Sequence, residues 1–301
     1  MNKDFMQEFM TRTAFPAEAV TQLLQDADTL EKANCVDRFD SAVSFFAAQD
    51  YKVELAEPMV REVAEASGLS PYTVWLLLLI EAARPQLLVC RELGEGEELF
   101  WDTFSDLRYK AIECKEIHNV WGTFVAFWYP IFYTGDIVKL GRLEFENGIY
   151  EEKTPYLGNG FTVNPGDFVL HIHIPSSGEP FTKEARLDSY KRAYEHFTEQ
   201  RKGGPLVCVC HSWLLNPDYA AFLPENSNFV DFQRDFAVLE QDPADAFEDA
   251  WRLFGHSAEG PMQDWAERTS MQRAFKQYFL NGGKPACGKG LLMFDGEHLL
   301  G

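Results

Sequence analysis

The feature that most constrains the fold of this 301-residue chain is a change in the spacing of its apolar residues near Asn119. Before that point, apolar residues recur every three or four positions, as they do from Pro16 to Ala33, which is the period of an amphipathic helix. From Ile137 onward, short runs rich in β-branched and aromatic residues alternate with helical patterns, which is typical of a mixed sheet. The sequence therefore predicts an α+β protein with an all-helical N-terminal domain, residues 1–125, followed by a mixed α/β sheet domain, residues 126–301.

A buried helix is predicted to begin at Ser70 and Pro71, because serine is a favoured N-cap and proline suits the first helical position. The residues that follow are apolar on nearly every side, which indicates a central place in the core, and Pro85 is predicted to end the helix. The segment from Val60 to Ala82 also looks like a DNA-binding helix-turn-helix. Its second helix presents Trp75 and a Leu/Ile run instead of basic side chains, so we interpret it as core.

The charge of the chain narrows the range of its partners. There are 47 acidic and 27 basic residues, which give a net charge of −20. Such a surface repels the phosphates of nucleic acids and anionic lipids, so we expect neither nucleic-acid nor membrane partners, whereas a cationic amine is compatible with it.

We expect a cytoplasmic protein. The densest apolar run, Val74 to Ile80, is far shorter than the ~20 residues that cross a bilayer, and the N-terminus lacks the basic start and apolar stretch of a signal peptide. The six cysteines lie mostly within apolar stretches, a pattern of buried thiols in a reducing compartment.

Two predicted strands carry side chains suited to chemistry. The strand from Phe168 to Ile174 contains His171 and His173, which share one face because alternate residues of a strand point the same way. The next strand contains Cys208 and Cys210 at the same spacing. If the strands are neighbours, these four residues would form a tetrahedral zinc site, which is one hypothesis. The alternative is structural: hydrogen-bonded histidines and thiols packed as small apolar groups.

A loop and a helix start follow the histidine strand. Pro175 closes the strand, a turn with Gly178 follows, and Thr182 is predicted to cap a helix from Lys183 to Gln200. The first N–H groups of a helix lack partners within the helix, and the helix dipole is positive there, so this element can bind an anion.

Together with "GRLEFE" at 141–146 and "SNFVDFQRDF" at 227–236, these motifs resemble bacterial acyltransferase-domain proteins. Those proteins join a helical N-acyltransferase N-terminal domain to a GNAT-like C-terminal domain. The resemblance covers most of the chain, and the order of a hairpin, a strand, a long helix and a strand agrees with the GNAT fold. It implies that acyl-CoA lies in a gap between the two strands, with its pyrophosphate at the start of the long helix. The residues implied to bind acetyl-CoA or another acyl-CoA are Ile174, Ser176, Ser177, Gly178, Thr182, Ser212 and Trp213.

The activity implied by the resemblance is transfer of an acyl group from acyl-CoA to the amine of a small molecule or peptide. This reaction needs a base for the ammonium proton, donors for the thioester oxygen and an acid for the leaving thiolate. We predict that His173 is the base, since an imidazole titrates near pH ~6.5, with Glu146 as the second candidate. Tyr219 is the predicted acid, and no metal takes part in this interpretation.

The predicted phosphate loop differs from the family pattern, which is Gln/Arg-x-x-Gly-x-Gly/Ala. This chain has only Gly178, followed by Glu179, whose negative charge opposes phosphate. A non-catalytic GNAT-like ligand-binding protein is therefore a second hypothesis.

Overall fold

The computed structural model of the protein describes residues 1–158 and 160–300. The chain divides into two compact units: Met1–Lys139 together with Pro175–Ser177, and Leu140–Ile174 together with the residues from Gly178 onward. The helices of the first unit are α1 (Lys3–Arg12), α2 (Ala17–Lys32), α3 (Val36–Ala48), α4 (Val53–Ser67), α5 (Pro71–Leu93), α6 (Glu97–Phe104), α7 (Asp106–His118) and α8 (Pro130–Tyr133).

The strands of the protein lie after Asn119, as the apolar period predicts for the residues that the structure describes. They are β1 (Ile137–Leu140), β2 (Leu143–Ile149), β3 (Tyr156–Gly158), β4 (Phe161–Val163), β5 (Phe168–His173), β6 (Leu206–Ser212), β7 (Ala237–Pro243) and β8 (Ala286–Phe294). The helices of the second unit are α9 (Lys183–His196), α10 (Asn228–Gln233), α11 (Ala250–Phe254) and α12 (Ser270–Leu280). The α+β class predicted from the sequence is confirmed.

The central helix of the first unit is α5. The Ser70 side chain accepts a hydrogen bond from the Tyr72 N–H, and Pro71 takes the first position, as predicted. The apolar stretch, Trp75 included, is buried, which confirms that it is core and not a DNA-reading helix. The predicted end at Pro85 is wrong, because the helix continues to Leu93. Proline removes one backbone hydrogen bond, but Leu87 in the next turn is buried in the core and offsets that loss.

The helix α5 is also the one helix among residues 1–158 and 160–300 that is long and apolar enough to cross a membrane, by length and composition. Within the protein, 67% of its most apolar window is buried. It packs against α1, α2, α3, α4, α6 and α7. A helix surrounded in this way has the environment of a core helix.

The segment that follows α5 forms two helices, α6 and α7, which meet at Ser105. The Ser105 hydroxyl donates a hydrogen bond to the Asp102 carbonyl at 2.6 Å, the kind of local bond by which serine competes with a continuous helix. In the second unit, the β3–β4 hairpin was not predicted from the sequence.

The main sheet has six strands in the order β1-β2-β5-β6-β8-β7. Strands β5 and β6 are parallel, and the pairs β2–β5, β6–β8 and β7–β8 are antiparallel. A parallel pair requires a crossover, and α9 supplies it. The α9 side chain of Tyr190 contacts Phe294 of β8, with ring centroids 6.1 Å apart.

The strand register determines which side chains share a face of the sheet. Glu146 is opposite His171, and Glu144 is opposite His173. His171 is in turn level with Val209 of β6, so these side chains lie on one face, here called the histidine face. The other face, called the α9 face, carries Leu206, Cys208, Cys210 and Phe294.

Candidate active site

A gap opens between β5 and β6. These strands pair at only two positions, Leu170 with Cys208 and His171 with Val209. Beyond them β5 continues to His173, while β6 continues to Ser212 as a partner of β8. The two parallel strands therefore separate at the C-terminal end of β5, as expected from the resemblance. In open α/β sheets, ligands bind where neighbouring strands part at their carboxyl ends.

His173 and Glu146 form a hydrogen-bonded pair on the histidine face at this gap. The distance from His173 Nε2 to Glu146 Oε2 is 2.7 Å, and about 30% and 27% of the two side chains are exposed. The bond to His173 lowers the pKa of Glu146, so the carboxylate is ionised and accepts. The imidazole Nε2–H must then donate, and the neutral ring carries its basic lone pair on Nδ1.

His171 is packed against the backbone of the neighbouring strand at Gly148. A β-carbon added at Gly148 would lie 2.5 Å from two atoms of the His171 ring, Cδ2 and Nε2. Glycine at this position of β2 therefore makes room for the imidazole. The role of Gly148 was not predicted, because nothing in a single strand indicates which ring of the next strand crosses it.

A second histidine–carboxylate pair lies on the same face, on the β6 side of the gap. His211 is two residues beyond Val209 and therefore shares its face. His211 Nε2 lies 3.0 Å from Asp242 Oδ2 of β7. Both side chains are about half exposed, 53% and 49%, and can be reached from solvent.

The start of α9 has the features of an anion site. The Thr182 hydroxyl accepts from the Ala185 N–H, so Thr182 is the N-cap, as predicted. The exposed carboxylate of Glu184 bonds to its own backbone N–H and to Thr182, which lowers its pKa. A carboxylate thus already occupies this helix terminus, and an incoming phosphate would replace an exposed side chain there. Gly178, in the loop before α9, has φ +75°, and a β-carbon added there would have no atom within 4 Å.

Two buried arginines hold the loop that leads to α9. The Arg142 Nε–H donates to the Glu179 carbonyl at 3.3 Å, and its guanidinium lies 5.2 Å from the Phe181 ring centre. Arg186 of α9, with 0% exposure, donates to Asp235 and Asp231 at 2.8 and 2.7 Å. The contacts of Arg142 and Arg186 were not predicted from the sequence, because their partners lie far away in the chain.

The predicted zinc site is wrong. Cys208 is level with Leu170, and Cys210 lies two residues further on the same side of β6, so both thiols occupy the α9 face. His171 and His173 point to the opposite face. Among the described residues, no three His, Cys, Asp or Glu side chains form a metal-binding group. Both thiols are instead buried, and burial raises their pKa, for Cys210 to about 12.

Tyr219 lies in a short 3₁₀ helix, Pro217–Ala221, that follows β6. Tyr219 is completely buried in an aromatic cluster with Phe222, Phe229 and Phe275, and burial raises the pKa of its phenol. A proton donor must reach the leaving sulfur, so this position does not support the predicted role as acid. Trp213 belongs to the same cluster and is half-buried.

The other predicted cofactor residues lie at the ends of the strands and in the loop. Ile174 directly follows β5 and is half-buried. The Ser212 hydroxyl ends β6 and accepts from the Leu214 N–H at 3.2 Å. Ser176 and Ser177 group with the first compact unit, whereas Gly178 and Thr182 belong to the second.

Comparison with known families agrees with this geometry. Residues 137–292 match the family model described as GNAT-like C-terminal domain, and residues 4–135 match that of the N-acyltransferase N-terminal domain. The first match covers more than half of the chain. The chain therefore belongs to the family of GNAT-like C-terminal domain proteins, with an N-acyltransferase N-terminal domain ahead of it. No curated protein matches the sequence.

Solved structures of acyltransferases share the fold. One, an acyltransferase mutant in complex with octanoyl-CoA, has a TM-score of 0.70 and 17% identity over 95% of this chain and 87% of its own. An acyltransferase in complex with decanoyl-CoA and teicoplanin has a TM-score of 0.69 at the same identity and coverage. Another in complex with decanoyl-CoA has a TM-score of 0.61 and 18% identity over 98% of this chain and 100% of its own.

Proposed function

We propose that the protein is an N-acyltransferase that moves an acyl group from acyl-CoA to an amine. The observation that carries the proposal is the gap between β5 and β6, with the His173–Glu146 pair beside it and the capped start of α9 after it. The similar acyltransferases crystallised with octanoyl-CoA and decanoyl-CoA support the choice of donor. We propose a medium-chain acyl-CoA as the donor, although acetyl-CoA fits the same chemistry.

Acyl-CoA supplies an activated thioester, and the residues of this chain bind it and move protons. Gly178 and Thr182 begin the anion site for the pyrophosphate, and the backbone around Ile174 faces the thioester beyond the paired part of β5. Ser212 and Trp213 border the β6 side. His173 takes the ammonium proton, and the Glu146 carboxylate stabilises the resulting imidazolium.

The acceptor is proposed to be a small-molecule or peptide amine. A protein in the fold class binds teicoplanin, a glycopeptide, which supports an acceptor of that kind. The net charge of −20 favours a cationic acceptor over nucleic acid or an anionic membrane. The six cysteines are free thiols, which supports a cytoplasmic location. The domain division at residues 125 and 126 stays a prediction, which limited proteolysis tests.

A non-catalytic ligand-binding protein is the second candidate function, favoured by one observation. The anion site at α9 already holds the Glu184 carboxylate, and Glu179 lies in the same loop, so two acidic side chains oppose the pyrophosphate.

A turnover assay distinguishes the two candidates. Purified protein is incubated with decanoyl-CoA and either teicoplanin or a panel of primary amines, and free thiol and amide product are both measured. We expect thiol release that requires the amine, with one amide formed per thiol. Binding of acyl-CoA without any amine-dependent release would favour the ligand-binding protein.

A further inference from the structure

We propose that His211, positioned by Asp242, is the general acid that protonates the leaving thiolate. The inference rests on the proposed acyl transfer and adds the proton donor that Tyr219 does not supply. Its basis is the register of β5 and β6 on the histidine face.

The two imidazoles occupy equivalent places on either side of the gap. His171 is level with Val209 in the parallel pair, so two residues further along each strand the next same-face positions are His173 and His211. These two positions are no longer paired, because the strands have separated there. The gap is therefore bordered by one imidazole from each strand.

Each imidazole is bonded to a carboxylate on the side away from the gap. His173 bonds to Glu146 of β2, at 2.7 Å, and His211 bonds to Asp242 of β7, at 3.0 Å. The Asp242 carboxylate that accepts from His211 Nε2 fixes that ring and leaves Nδ1 of His211 as the nitrogen that exchanges the catalytic proton. Two such pairs, one on each side of the gap and on the same face of the sheet, supply the base and the acid that an amide-forming transfer needs.

His173 and His211 together account for every proton that moves in the reaction. The ammonium proton passes to His173, and the C–N bond forms. The C–S bond then breaks, its electron pair remains on sulfur, and the imidazolium of His211 gives its proton to that sulfur. The nitrogen of the new amide still carries one extra proton. That proton passes to His211 and restores the His211 imidazolium. One amide, one thiol and one proton, released from His173 to solvent, are the products.

The burial of Tyr219 and the exposure of His211 separate the two candidate acids. Tyr219 is completely buried among the rings of the aromatic cluster, whereas the His211 side chain is 53% exposed. Substrate sulfur can approach only the second. His211 was not predicted as a site residue, because only the register between β5 and β6 relates its position to that of His173.

The test uses the dependence of rate on the leaving group. His211→Ala is compared with wild type on decanoyl-CoA and on a decanoyl 4-nitrothiophenyl ester, with teicoplanin and primary amines as acceptor probes. An aryl thiolate leaves without a proton. We therefore expect His211→Ala to lose about 10²-fold in rate with decanoyl-CoA and less than about 5-fold with the aryl ester. Asp242→Asn is expected to show the same pattern with a smaller loss.

Control variants make the outcome specific. His173→Ala should lose rate with both donors, because the ammonium proton must be removed in either case. His256→Ala removes an exposed histidine bonded to Glu259 at 3.2 Å outside the sheet, and it should change neither rate. Equal losses with both donors, or no loss, for His211→Ala would overturn the assignment. Absence of turnover by wild type would instead contradict the proposed acyl transfer itself.

Discussion

The two faces of the same sheet use similar polar groups for opposite purposes. On the α9 side, Arg186 is fully buried between two aspartates, and Tyr190 donates to Asp235 at 3.0 Å. On the histidine face, His173 and Glu146 form one pair with about 30% and 27% of their side chains exposed. The first network fixes where α9 begins. The second leaves its groups accessible to a ligand.

The degree of burial distinguishes the structural ion network from the candidate catalytic pair. A charge removed from water must keep all its partners, so the Arg186 network is expected to tolerate no change. A partly exposed pair can gain and lose protons, because solvent offsets much of the cost.

The largest effect is expected for His173→Ala on the histidine face. Loss of a general base lowers the rate of acyl transfer by ~10²–10⁴-fold, while the free energy of unfolding changes by less than about 1 kcal/mol. Rates and urea unfolding are measured on the same preparations. His298→Ala, an exposed histidine in the last turn, is the control and should retain full rate. A fall in stability that accounts for the lost rate would make His173 structural.

The next effect concerns the buried network. Arg186→Ala leaves the buried Asp235 and the partly exposed Asp231 without the guanidinium and is expected to cost ~3–5 kcal/mol of unfolding free energy. Arg192→Ala on the same helix removes a guanidinium that bonds to Asp188 at 2.7 Å, with both side chains more than half exposed. This control should cost less than ~1 kcal/mol. Similar losses for the two variants in urea unfolding would remove the contrast between the faces.

The smallest effect is the pH dependence of Glu146→Gln. The hydrogen bond from His173 lowers the pKa of Glu146 in the folded protein, so the carboxylate stabilises the fold above its unfolded pKa of ~4.3. That stabilisation is lost as the pH falls through the lower, folded pKa. We expect a deficit below about 1 kcal/mol for the variant at pH 7, which shrinks as the pH falls below the unfolded pKa of ~4.3. A deficit that grows in acid would contradict the assigned direction.

The strand period was enough to predict part of this arrangement. It correctly placed His171 and His173 on one face, since only the alternation within β5 is needed. It failed for the zinc hypothesis, because whether Cys208 faces His171 depends on the register between two strands. The hydrogen bond between His211 and Asp242 joins residues that are 31 positions apart in the chain, on two strands with β8 between them. No local sequence pattern encodes it.

The helical unit shows the same division between local and tertiary information. The start of α5 was predicted from Ser70 and Pro71, because capping is local chemistry. Its end was not, since the burial of Leu87 outweighs the breaking tendency of Pro85. Likewise Gly178 was noticed as a loop glycine, while Gly148 was missed because its role depends on the His171 ring of another strand.

The central claim is that acyl-CoA binds at the gap between β5 and β6, against the loop before α9. Calorimetric titration with decanoyl-CoA tests it on wild type, Gly178→Val and Gly203→Val. Both glycines have positive φ, +75° and +79°, with open space around an added β-carbon, so valine strains the two turns alike. Gly203 lies before β6, at the other end of the strands.

We predict that wild type binds decanoyl-CoA, that Gly178→Val binds at least about 10-fold more weakly, which is ~1.4 kcal/mol, and that Gly203→Val binds like wild type. No binding by wild type, or equal affinities for the three proteins, would contradict the account.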